Sequence, residues 1–346
     1  MNKNSQITFI LFLSLFLTFG SLPGKSETSE KKSTSETIDK SLMPEQLLQI
    51  ASTKAFAKYV FLVDKSLRTL FLYEREDSRI KKVGEFPADI GKNGGNKMKE
   101  NDHRTPEGIY FFQHLKKPPE IPFDTYGKMA FTMDYPNIFD MRTRKTGSGI
   151  WLHSIPDSVP LTRGSRGCVV VRNDVIEKLT QYIQLKETPI LIFDQIKFVA
   201  TSEHEKKKSE IHAFINGWRE AWQSKSIDKY IDFYDEGFKS LGYNKKRWKK
   251  YKEGLIGKYE YINVSFDQPF LLIHNDQLII KTLQKYQSNK HTDFGIKTIH
   301  ALKIDGNYKI ISEDWKEANP EGFEITQKQA DQQTPTSAVQ DAIRKN

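Results

Sequence analysis

Short apolar runs broken by turn residues dominate the first two hundred positions, and they predict strands more often than helices. Tyr59 to Val63 and Leu67 to Glu74 are rich in β-branched and aromatic residues, with Asp-Lys-Ser between them as a hairpin signal. Val83 to Ile90 reads as a further strand. The Gly91-Lys-Asn-Gly-Gly95 turn lacks the Gly-Lys-Ser/Thr of a phosphate loop and reads as a plain loop. Pro106-Glu107-Gly108 opens another strand, whereas residues 118–141, with Pro118, Pro119, Pro122 and Pro136, read as a long insertion. Gly149 to His153 and Val169 to Val171 are apolar strands, the latter alternatively a helix entry. Asn173 or Asp174 is placed to cap a helix over Val175 to Ile183, and Pro189 to Phe193 supplies a last strand. Strands do not alternate with long crossover helices here. The predicted class is therefore mainly β, a mostly antiparallel β-sandwich with few helices over residues 58–197.

From His204 the period changes. Ile211, Phe214, Ile215, Trp218 and Trp222 recur at helical spacing, and a second helix is predicted over Ile227 to Tyr234. Four β-rich stretches follow (residues 259–266, 270–286, 294–303 and 308–315), with hairpin turns at Asn275-Asp276 and Asp305-Gly306. Helices first and a long meander after predict an α+β domain over residues 204–317, its core aromatics Trp218, Trp222, Tyr230 and Phe233.

The ends read differently. Residues 1–24 combine Lys3, an apolar run from Ile7 to Phe19 and a Gly-Ser-Leu-Pro-Gly break, the anatomy of a signal peptide. The run is shorter than the roughly 20 residues a spanning helix needs. Residues 25–57 read as a polar linker followed by a short helix after Met43, and residues 318–346 as a disordered tail. These readings imply export to the periplasm or cell envelope.

The 346 residues contain one cysteine and carry a formal charge of +9. One cysteine excludes an intramolecular disulfide or a multi-cysteine zinc site, and the eight histidines show no metal spacing, so neither metal nor cofactor is expected. The positive charge suits an anionic partner without choosing one. Lys245 to Lys252 holds six basic residues and no acid. It reads as a solvated helix face or as a contact for anionic wall polymer or a membrane surface. An export signal without a stacking motif argues against nucleic acid.

The lone Cys168 sits in Ser165-Arg166-Gly167-Cys168, fifteen positions after His153. A lone cysteine is often a small buried hydrophobe. In an exported chain, however, a spare thiol is an oxidation liability, and these flanks are polar and glycine-rich. A histidine partner can stabilise a thiolate, and a glycine before the nucleophile lets successive N–H groups, here those of Gly167 and Cys168, turn towards a developing oxyanion. Arg163, Arg166 and Arg172 lie near enough to bind a carboxylate, although a solvated arginine is the default for each.

These motifs resemble the L,D-transpeptidase (YkuD-type) family, whose signature is a histidine, a gap of this length and Ser/Thr-(His/Arg)-Gly-Cys. Asp102-His-Arg-Thr-Pro-Glu-Gly-Ile-Tyr110 resembles its strand-entry motif, and residues 59–73 its opening hairpin. The resemblance implies Cys168 as nucleophile, His153 as general base and the Ser154 carbonyl as its orienting acceptor, with a flap formed by the insertion. It implies a role in the turn and a buried ion pair for Asp102, Arg104 and Gly108. The implied substrate is a peptidoglycan stem tetrapeptide, cleaved before its terminal D-alanine. Transfer to an amine gives 3→3 crosslinks, and transfer to water gives L,D-carboxypeptidation. Val170 stands where many members have Arg or Asn. The second domain resembles the nuclear transport factor 2-like (NTF2-like) fold, and the combination resembles cell-shape L,D-carboxypeptidases. A wall-binding scaffold without activity is the remaining alternative.

Overall fold

The computed structural model describes residues 42–50, 55–76 and 79–319; the expected signal peptide, most of the linker and nearly all of the tail lie outside them. The first elements correct an expectation. Instead of a helix from Met43, the chain forms two short strands, β1 (Leu42–Pro44) and β2 (Leu47–Gln49). Strand alternation explains the choice: Leu47 and Leu48 are both buried but join different cores, which successive side chains on opposite faces allow.

The region holding His153 and Cys168 follows. Its elements are β3 (Tyr59–Asp64), β4 (Thr69–Glu76), β5 (Arg79–Pro87), β6 (Gly108–Lys116), the helical turn α1 (Phe123–Tyr126), β7 (Ala130–Met133), α2 (Ile138–Arg142), β8 (Trp151–Ile155), β9 (Val169–Arg172), α3 (Asn173–Thr180) and β10 (Pro189–Phe193). The expected sandwich is one eight-stranded sheet, in the order β5-β4-β3-β10-β6-β7-β8-β9, with β3–β10 and β8–β9 parallel. It curls over, because Asp89, just beyond β5, exchanges backbone hydrogen bonds with Val170 in β9 (2.7 and 2.8 Å). Phe61, Tyr110, Phe112, Phe131, Leu152 and Val169 belong to the core cluster packed inside the curl. The predicted insertion is thus only partly an excursion. Ala130 and Phe131 are buried, so β7 completes the sheet, while residues 117–128 before it and α2 after it leave the sheet.

The second part contains β11 (Phe198–Ala200), α4 (Thr201–Gln223), α5 (Ile227–Ile231), β12 (Lys239–Ser240), β13 (Tyr243–Asn244), α6 (Lys245–Ile256), β14 (Ile262–Phe266), β15 (Phe270–His274), β16 (Gln277–Ser288), β17 (Thr292–Ile304) and β18 (Asn307–Glu317). The expected hairpin turns form, with Asn275, Asp305 and Gly306 at positive φ. The sheet runs β18-β17-β16-β15-β2, with β14 also pairing β16, while β1 pairs β11. One face covers α4 and α5 through Ile211, Trp218 and Tyr230. The other packs Phe270, Leu272, Ile279 and Ile311 against Leu62, Phe71, Leu191 and Phe193 of the first sheet. The two sheets therefore share one apolar core.

Candidate active site

Parallel pairing of β8 with β9 sets the register Leu152↔Val169 and His153↔Val170. Cys168 immediately precedes β9 and falls beside Trp151, one pleat from His153. Its half-buried thiol donates to Gly149 O (3.5 Å) and receives the Trp151 N–H. Trp151 and His153, two apart on one strand, share a face. The buried His153 ring holds Ser154 O at 2.7 Å through Nδ1, the acceptor that the family resemblance implies. With Nδ1 as donor, Nε2 is left as the basic nitrogen.

Burial governs both charges. It lowers His153 to about 4, against the pull of the Ser154 carbonyl, and Arg163 lowers it further. It pushes the Cys168 thiol up to about 11, while the Trp151 N–H, Lys97 and Arg166 pull it down. At neutral pH the pair is thus a thiol and an imidazole. The resting thiolate expected from the sequence is not favoured where this thiol sits.

The turn around Cys168 is tied down by groups that pattern reading missed. Asp89 is buried; its carboxylate accepts from the N–H groups of Gly164 (2.7 Å) and Ile90 (2.9 Å) and pairs with Arg68. Ser165 N–H reaches Ile90 O (2.8 Å), and Lys92 N–H reaches Ser165 O (3.0 Å). Gly167 stands at φ 130°, where a Cβ would lie 2.7 Å from Arg104 O, so the glycine is required by conformation and by space. Its N–H does not point to an oxyanion as expected. Ser165 Oγ folds under the turn, accepts that N–H (3.0 Å) and donates to Cys168 O (2.7 Å).

The arginines divide. Arg163 and Arg166 are exposed and close enough to act on His153 and Cys168 respectively. Arg172, expected as a substrate ligand, instead donates to Val159 O (2.7 Å) and Pro156 O (3.3 Å) and braces the loop between His153 and Cys168. Asp102 has the expected role in a turn. Burial opposes its charge, but Lys97 (2.8 Å) and the N–H groups of Lys99, Met98 and Arg104 outweigh this and hold it well below the usual carboxylate range.

Over this floor lies α1. The Tyr126 ring meets His153 edge-on at 5.0 Å and Trp151 at 4.9 Å. The expected caps of α3 are not used, since Arg172 occupies the N-cap and Asn173 turns its side chain to Lys128 N–H (2.9 Å). Among the described residues no cluster of three or more His, Cys, Asp or Glu is placed to hold a metal.

The basic run is also corrected. Lys252 is buried over the rings of Trp222 (4.6 Å) and Trp248 (4.7 Å), burial lowers it to about 8, and it lines a cavity of about 70 Å3 with Lys297 and Glu313. Lys245 and Lys249 pair with Glu236 and Asp228. Lys246, Arg247 and Lys250 are left as its outward charges. Trp218 and Tyr230 are core residues, as expected, and Trp222 reaches the cavity.

Residues 58–192 match the L,D-transpeptidase (YkuD) catalytic domain, and residues 210–314 match the Cds6 C-terminal NTF2-like domain. No curated protein matches the chain. The solved structure of Bd1075 from Bdellovibrio bacteriovorus is 57% identical, covers 81% of this chain and 99% of its own, and superposes with a TM-score of 0.75. Pgp2 of Campylobacter jejuni, a helical cell shape determining protein, is 26% identical over 78% of this chain and 95% of its own, with a TM-score of 0.62. With a curled sheet that sets a histidine and a cysteine on neighbouring strands, and an NTF2-like domain behind it, this chain belongs to the peptidoglycan-modifying L,D-transpeptidase/carboxypeptidase family.

Proposed function

We propose that the protein is an exported cysteine enzyme that trims peptidoglycan tetrapeptide stems to tripeptides through a thioester on Cys168. The observation that carries this reading is the parallel register of β8 with β9, which brings His153 and the residue just before β9, Cys168, to one face of a catalytic domain of this family. Cys168 Sγ attacks the carbonyl of the L-centre before the terminal D-alanine, and His153 Nε2 takes the thiol proton. The Cys168 N–H steadies the oxyanion in place of the occupied Gly167 amide, a contribution of about 3–4 kcal/mol for one well-placed donor. The C–N bond breaks as His153 returns the proton to the departing amine, and D-alanine leaves. Water then attacks the thioester and gives a proton to His153; the C–S bond breaks, the tripeptide stem leaves as its acid, and His153 returns the proton to the sulfur. Arg166 and Arg163 are the cations at hand for the D-alanine carboxylate.

The alignment with Pgp2, a helical cell shape determining protein, spans both domains; the resemblance of this domain pair to cell-shape L,D-carboxypeptidases favours water as the acceptor. The family's named activity favours a second reading, in which a stem amine accepts the acyl group and forms a 3→3 crosslink. Incubation of the purified protein with tetrapeptide-rich sacculi, followed by mass spectrometry of the muropeptides, tests both. Tripeptide monomers support trimming, and 3→3 dimers support transfer. Product profiles that Cys168→Ala leaves unchanged would turn the proposal into a non-catalytic wall-binding scaffold.

A further inference from the structure

The turn that lays Tyr126 over His153 and Trp151, beside the thiol, forms a lid held at one root by a clamp assembled from three elements. Gly127, just after α1, is buried at φ 60°, where a Cβ would collide with Ser154 Oγ and Asn173 Oδ1. The next amide, Lys128 N–H, is shared between those two oxygens at 2.9 Å each. Ser154 Oγ in turn donates to Tyr126 O (3.3 Å), on the residue whose ring covers His153. Ser154 is fully buried and Asn173 nearly so. Residues 122–125 are exposed, so the lid has few other anchors on this side. The Lys128–Glu177 pair is half exposed and adds little. Ser154 therefore serves two neighbours at once: its carbonyl orients His153, and its hydroxyl holds the lid.

We propose that Asn173, with the Ser154 hydroxyl, is a latch that positions the lid over Cys168 and screens the thioester from acceptors larger than water. Asn173 acts through the lid and is a positioning residue. The acceptor half of the proposal rests on the acyl-enzyme reading above, whereas the access half does not. With the latch closed, Tyr126 stays against His153 and small molecules alone reach the sulfur. With it open, the lid turns about Gly127 and larger amines enter.

The test compares alkylation of Cys168 by iodoacetamide and by fluorescein maleimide in the full chain. Loss of one net hydrogen bond shifts a two-state lid about fivefold, so Asn173→Ala is expected to speed the bulky reagent about fivefold and the small one by less than about twofold. Asn173→Asp keeps an acceptor oxygen for Lys128 N–H and is expected to restore the parent ratio. With tetrapeptide and a bulky amine present, Asn173→Ala is expected to raise the amide product relative to the tripeptide. Equal acceleration of both reagents, no change in either, or failure of Asn173→Asp to restore the ratio overturns the latch. If Asn173→Ala melts early, Gly127→Ala opens the clamp from the lid side and takes the same test. A size-selective effect in a protein that releases no D-alanine would remove the proposed reaction and leave the latch standing.

Discussion

Two side chains carry the proposed chemistry, and burial weighs against charge on both, His153 being buried and the Cys168 thiol half-buried. With His153 at about 4 and Cys168 at about 11, the neutral pair persists across the range in which a thiolate–imidazolium pair would titrate. A base must be neutral to accept a proton, so kcat/KM is expected to rise as pH climbs through about 4 and to stay level from pH 6 to 9. A bell centred near neutrality in a kcat/KM profile would point to an ion pair instead. Asp89 carries a different prediction. Removal of its carboxylate strands the Gly164 N–H in the interior, at a cost of about 1–3 kcal/mol. It also loosens the loop that aims Cys168. Asp89→Ala should lower the thermal midpoint and depress kcat at least tenfold, about the effect of a small misplacement of a reacting group.

At the scale of elements, the turn from Ser165 to Cys168 is the least forgiving segment. Gly167→Ala places a methyl against Arg104 O in a backbone region that disfavours side chains, so it is expected to cut D-alanine release about a hundredfold while circular dichroism stays that of the parent. This turn was legible in the sequence, because its chemistry depends on residue types that announce themselves: a lone cysteine, a glycine before it and a histidine on an apolar strand. What surrounds it was not. Asp89, Tyr126 and Asn173 earn their positions from neighbours distant in sequence, and no local pattern marks an aspartate that will bond a glycine amide 75 positions away. Arg172 misled for the same reason, since its partners at Pro156 and Val159 exist only once the loop folds back. Element type was easier than extent. The α3 helix appeared about where its apolar spacing put it, yet β7 hid inside a proline-rich stretch because four residues alternate too briefly to signal a strand.

Over the whole molecule, the decisive feature is the apolar core that the two sheets share. Three-residue β2 lies beside β15, some 220 positions later, and Leu47 enters the common core, a pairing that no local periodicity can report. An interface this apolar holds domains rigidly rather than as hinged bodies. The catalytic sheet and the NTF2-like domain are therefore expected to melt in one calorimetric transition, and Leu272→Ala, fully buried between them, to lower that single midpoint at a cost of about 2–5 kcal/mol. His274 lies in the same interface, stacked on Phe193 (4.4 Å) with Nε2 at 2.9 Å from Ile192 O, and burial lowers it to about 4. An unfolded histidine titrates near 6.5, so between 6.5 and 4 the unfolded chain binds a proton that the folded chain refuses. The stability that His274 contributes is thus complete above pH 6.5 and is lost as the pH falls through about 4. His274→Gln preserves a donor for Ile192 O without a titrating ring. It should keep the single transition and flatten the decline of the midpoint between pH 6.5 and 4. A variant that melts in two steps would show that His274 holds the sheets together beyond its one hydrogen bond, and an unchanged slope would move the acid sensitivity to other buried histidines such as His153.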